Sequence, residues 1–159
     1  MLVDANLLLY AVDSSSAFHR PASTWLESVL SGAQRVALPW QSLTAFLRIS
    51  TNPRAWEHPL DPQTAANLVA DWLGAGPVWT PEPGPGYAEI LLGLLGKYQI
   101  RGNLVSDAQL AALAIEHGLT VYSADTDFAR FTDVTWVNPV SPDQPPPHES
   151  AVRLARGRG

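Results

Sequence analysis

The sequence predicts an α/β fold in which a central parallel sheet is covered by helices on both faces. Three observations carry this. Short apolar segments alternate with longer segments of helical period, the order that builds a parallel sheet. A length of 159 residues suits one domain, with a core able to bury well over half of the unfolded surface. Apolar residues make up 46% of the chain and no internal repeat is visible, which argues against a disordered chain.

Met1-Leu2-Val3-Asp4 reads as a short buried strand ending in an acid, and Asn6 to Val12 continues as a short helix. After the Ser14-Ser15-Ser16 break, His19 to Leu30 is amphipathic, with Trp25, Leu26, Val29 and Leu30 on one side and Gly32 as its stop. Arg35 to Leu38 is the second strand, stopped by Pro39. Leu43, Phe46, Leu47 and Ser50 fall at helical spacing within Trp40 to Ser50, and Asn52-Pro53 closes that helix. Asp61-Pro62 caps and opens a helix through Trp72, ended by Gly74. Val78-Trp79-Thr80 is a strand candidate, followed by a rigid turn from Pro81 to Gly86. Tyr87 to Tyr98 is helical by pattern, and Leu104 to His117 is the strongest helix in the chain, with Gly118 as its stop. Leu119 to Ser123 is a strand, Thr126 to Phe131 a helical turn, and Val134 to Val137 the last strand. After Asn138 prolines dominate and the chain ends Arg-Gly-Arg-Gly, so residues 1–138 are expected to form the domain and 139–159 an extended tail. That tail reads either as an inert extension or as a contact for a partner or RNA.

Composition narrows the function classes. There is no cysteine, which excludes disulfides, thiolate zinc sites and cysteine nucleophiles together. No apolar run approaches the roughly 18 residues of a spanning helix, and no secretory signal is visible, so the expected location is a reducing cytoplasm. Acidic residues outnumber basic ones 15 to 10, and bulk charge therefore does not favour nucleic acid. Carboxylates that hold a divalent metal would reverse the local sign.

Ligands of open parallel sheets bind beyond the carboxyl ends of the strands. Asp4 and Asn6 follow the first strand there, Asp125 and Asp127 follow the strand ending at Ser123, and Asp107 lies in the first turn of the Leu104 helix. Each acid alone reads as a helix cap. Together, at one end of a sheet, they read as an oxygen-only pocket for magnesium or manganese, equipment for hydrolysing a phosphodiester. Asp127 is the acid with the strongest competing reading, a solvated helix-start residue.

Four stretches in order, Leu2-Val3-Asp4-Ala5-Asn6, Leu38-Pro39-Trp40 with Phe46-Leu47-Arg48, Gly102 to Ala108, and Ser123-Ala124-Asp125-Thr126-Asp127-Phe128, resemble the PIN-domain ribonucleases. The resemblance is greatest to the VapC toxins of bacterial toxin–antitoxin pairs. It implies a three-layer α/β/α fold and an endoribonuclease using Mg²⁺ or Mn²⁺, with Asp4, Asp107 and Asp125 as the catalytic, metal-holding acids and Asp127 as a further ligand. It also implies that Asn6 orients Asp4, that RNA (transfer RNA among the candidates) is the substrate, that an antitoxin blocks the groove, and that the chain is a homodimer.

One departure stands out. Where many members carry a glutamate in the helix after the second strand, this chain has Ala45, which leaves the pocket one carboxylate short. The alternative it raises is a catalytically weakened domain that works by binding an antitoxin or RNA. Ser42 or Thr44 offers a hydroxyl for a metal-bound water but no charge. Arg48, one turn beyond Ala45, reads either as a partner of a pocket carboxylate or as a contact to substrate phosphate. Trp40 reads as core and rim or as a surface on which a base stacks. His19, His58, His117 and His148 lack metal spacing, and Gly84-x-Gly86 lies in a proline turn, not in a phosphate loop. A haloacid-dehalogenase-type phosphatase would need an acid where Asn6 stands. A phospho-receiver would need a pocket lysine, and the single lysine, Lys97, lies in a helix away from those strand ends. Glu116, nine residues after Asp107, falls on the opposite helix face and does not replace the missing glutamate.

Overall fold

Five parallel strands of two residues each form one sheet in the order β3-β2-β1-β4-β5: β1 (Leu2–Val3), β2 (Val36–Ala37), β3 (Val78–Trp79), β4 (Val121–Tyr122) and β5 (Trp136–Val137). The computed structural model describes residues 1–141. The helices are α1 (Ala5–Val12), α2 (His19–Leu30), α3 (Trp40–Ser50), α4 (Pro62–Gly74), α5 (Tyr87–Lys97) and α6 (Leu104–Glu116), with a 3-10 turn over Thr126–Arg130. Every strand and helix expected from the sequence is present. Of the expected tail, residues 142–159 lie outside the described residues, as does His148.

The core is double because side chains alternate across the pleat. Val3, Val36 and Tyr122 pack with Leu7, Trp25, Phe46 and Trp72 of α1 to α4. Leu2, Ala37 and Val121 face the other way, against Leu94 of α5, the alanines of α6, and Phe128 and Phe131. Burial on both faces explains the run of consecutive apolar residues in each strand. The buried Val140 joins the first cluster, so packing continues two residues past Asn138.

Strand order places the site. From β1 the chain steps outward to β2 and β3, then returns to the other side of β1 for β4 and β5. The order therefore reverses between β1 and β4, and a crevice opens at such a reversal beyond the carboxyl ends of the strands. Asp4 leaves β1 at that point and Ser123 to Asp125 leave β4 beside it.

Candidate metal and active site

Asp4 is half-buried at the crevice, and its three donors come from the ends of β1 and β4. One oxygen caps α1 by accepting from the Ala5 amide at 2.6 Å. The other accepts from Asn6 Nδ2 at 2.8 Å and from the Ser123 hydroxyl at 2.8 Å. Burial pushes the Asp4 carboxyl up from its ordinary value; the hydrogen bonds from Ser123 and Ala5 oppose this, and the Asp125 charge adds to it. Asn6 also donates to Ser123 Oγ at 2.8 Å and accepts from the Ala124 amide at 3.1 Å. Ser123 Oγ accepts in turn from the Asp125 amide at 3.0 Å. A single buried hydroxyl thus ties the β1 acid to the loop that carries the β4 acid.

Above Asp4, one carboxylate oxygen from each of Asp107, Asp125 and Asp127 lies within 4.8 Å of the others. Asp125 uses one oxygen to cap the 3-10 turn, accepting from the Asp127 amide at 2.8 Å. Asp127 pairs with Arg130 at 2.8 Å across an exposed edge. Asp107 accepts no hydrogen bond from any described residue and does not cap α6, whose first-turn cap position is Asn103. Its carboxyl is pushed up to about 7, first by burial and then by the charges of Asp4, Asp125 and Asp127, against the opposing charge of Arg130. The site holds acids that repel one another, and its donor set is oxygen alone. That set fits a hard divalent cation such as magnesium or manganese.

Asp4 and Asp107 also line a pocket of about 320 Å³ between α3 and α6, with Gln41, Ala45 and Arg48 on the α3 wall. Ala45 therefore faces the acids, and no carboxylate comes from α3. Ser42 and Thr44 are committed elsewhere: their hydroxyls donate to the carbonyls of Val3 and Trp40, both at 2.7 Å. Arg48 lines the pocket and forms no ion pair among the described residues. Lys97 lies away from the site, paired with Asp133 at 2.8 Å. Glu116 is turned away as the helix geometry requires, and it accepts from the Gly84 and Gly86 amides at 2.8 and 2.9 Å.

Of the acids expected from the sequence, Asp107, Asp125 and Asp127 meet and Asp4 shares a pocket with Asp107; two neighbours, Ser123 and Arg130, were not foreseen. The signal for Ser123 was its place at the end of β4, two residues before Asp125. The signal for Arg130 was its i,i+3 spacing from Asp127.

A family model described as the PIN domain matches residues 1–134. The chain is 44% identical over 145 residues to ribonuclease VapC37 of Mycobacterium tuberculosis, covering 91% of this chain and 96% of that protein. Its fold is similar to that of VapC20 of the same organism, a sarcin–ricin-loop-cleaving toxin, with a TM-score of 0.62 and 17% identity over 82% of this chain and 94% of the other. It is also similar to a chain of a toxin–antitoxin complex from Klebsiella pneumoniae, with a TM-score of 0.57 and 19% identity over 87% and 96% of the two chains. With the family model spanning four of the five strands, the helices and all four acids, the chain belongs to the PIN-domain family, among its VapC ribonucleases.

Proposed function

We propose that this ribonuclease is a divalent-metal-dependent endonuclease, the toxin of a toxin–antitoxin pair, and that Asp4, Asp107, Asp125 and Asp127 are its metal pocket. The observation that carries the proposal is the meeting of three carboxylate oxygens within 4.8 Å at the point where strand order reverses. Mutual repulsion makes such a group costly until a cation or protons neutralise it. A divalent cation held there supplies positive charge to an attacking water and to the scissile phosphate.

The protein's own part is positional. Asp107, its carboxyl pushed up to about 7, is only partly ionised at neutral pH, and a bound cation would favour its ionised form. Asp125 keeps one oxygen on the Asp127 amide, which leaves the other for the cation. Asp4 is fixed by three donors beneath the group and adds negative charge from below. Asp127 supplies a fourth carboxylate on the open side, so the missing acid at Ala45 does not leave the pocket with three. These features favour turnover over a binding-only role. RNA, transfer RNA included, is the proposed substrate, an antitoxin the partner that covers the pocket, a homodimer the assembly and the bacterial cytoplasm the location. No helix among the described residues is long and apolar enough to cross a membrane. Residues 1–138 act as the nuclease domain, with Val140 still packed on its core, and the residues beyond as an appended tail.

The test is cleavage of total and transfer RNA with manganese, with chelator, and with Asp107→Asn. Metal-dependent cutting is expected. The variant should lose more than the roughly ten- to hundredfold that follows loss of a ligand's outer partner. Folded protein that binds manganese and cuts nothing would replace this reading with the binding-only one.

A further inference from the structure

We propose that the exposed face of α3 is the track for the RNA strand, with Arg48 holding a phosphate next to the scissile one and Trp40 stacking on an unpaired base. The proposal rests on the ribonuclease reading and names residues that place the substrate. Two separate observations lead to it. Arg48 shares a pocket with Asp4 and Asp107 yet pairs with neither. An unpaired guanidinium beside acids has a ligand to gain, and a planar fork of donors matches a phosphate. Trp40 is 51% exposed, which makes it the one tryptophan of the described residues presented openly to solvent. An indole left in water beside a nucleic-acid site is a stacking platform.

The helix register joins the two. Gln41, Ala45 and Arg48 occupy one stripe of α3 along the pocket wall. Trp40 lies about 12 Å from Arg48 along the axis and about 80° round it, so the two serve different nucleotides. Ala45 matters here for its size, because nothing bulky or anionic stands between Arg48 and the acids. The acidic balance of the chain sharpens the case. With 15 acidic against 10 basic residues, RNA affinity has to come from a few placed contacts and from stacking.

The test uses the full chain and an unpaired RNA of about twelve nucleotides, a length within the usual span of single-strand sites. Arg48→Ala and Trp40→Ala should each raise KM about tenfold with little change in kcat. Trp40→Phe should restore most of the loss, since stacking survives. Arg20→Ala, on the exposed start of α2, removes the same charge elsewhere and should leave KM unchanged. Binding of the same RNA by the non-cutting Asp107→Asn protein, with manganese, gives a second readout. Arg48→Ala in that background should lower the slope of log affinity against log salt by about 0.7. Pairing the RNA into a duplex should remove the dependence on Trp40. If both alanine variants keep the parent KM and salt slope while the parent cuts RNA, the track is overturned and the ribonuclease stands. If the parent cuts nothing, the ribonuclease reading falls, and the binding measurements still decide the track. Circular dichroism of each variant separates these outcomes from misfolding.

Discussion

Helix α6 carries one carboxylate near each end, and the two meet opposite fates. At the C-terminal end Glu116 accepts two backbone amides from the turn before α5, and a Cβ on Gly84 would come within 2.8 Å of its Oε1. At the N-terminal end Asp107 finds no donor among the described residues; its charged neighbours are Asp4, Asp125 and Asp127, opposed by Arg130. Burial and helix are shared, so the difference lies in the neighbours. A carboxylate given donors is part of the framework. One surrounded by other carboxylates stores repulsion, and the fold tolerates it because the rest of the molecule is well packed.

The largest way to disturb this contrast is to take from Asp4 the one donor that reaches it from β4. Ser123→Ala removes the hydroxyl that donates to Asp4 and accepts from Asn6 and from the Asp125 amide. Cleavage should drop roughly ten- to hundredfold, as for other groups that orient metal ligands. Manganese affinity, read by titration calorimetry, should fall alongside. Unchanged affinity and rate would mean that Asn6 and the Ala5 amide suffice to fix Asp4.

Glu116→Ala attacks the other end. Two turn amides lose their acceptor, and partial access to water limits the cost to about 1–2 kcal/mol. For a chain of this size the midpoint of thermal unfolding should fall by a few degrees. Cleavage per folded molecule should be retained, which marks the acid as framework. A loss of rate without a loss of stability would reverse that assignment.

The smallest effect concerns protons. In the metal-free protein Asp107 holds its proton up to about pH 7, whereas the unfolded chain releases it near the ordinary 3.8. The folded state therefore binds more protons between those limits, and this acid's contribution to stability is lost as pH rises from about 4 to about 7. Asp107→Asn, which cannot ionise, should gain on the parent across that window and keep a constant lead above it. Solvent screening at this half-buried site keeps the lead small. Saturating manganese should favour the parent instead, because the variant has lost a ligand. Chemical denaturation at several pH values checks the sign, and a difference independent of pH would disprove the proton account.

Much of this was legible in the chain. Alternation of apolar strands with helical periods gave every element, and Asp4, Asp107 and Asp125 stood at the ends that face a parallel sheet's crevice. The angular arithmetic of α6 correctly turned Glu116 away from Asp107. What the sequence could not display was strand order, since pairing β1 with β4 depends on contacts between residues more than a hundred positions apart. The Ser123 network depends on that pairing, with its bonds to Asp4 and Asn6 spanning 119 and 117 residues. The partners of Glu116 were hidden for the same reason, as was the unpaired state of Arg48.

The brevity of the strands has a consequence for timing. With two residues in each strand, the last rungs of the ladder are site residues themselves: the Asp4 amide donates to Tyr122 O and the Ser123 amide to Val137 O, both at 3.0 Å. Exchange of these two amide hydrogens with solvent reads out opening of the sheet at the site. The acid at the base of the pocket therefore has no fraying strand end to move on. Its backbone position is tied to the pairing of β1 with β4.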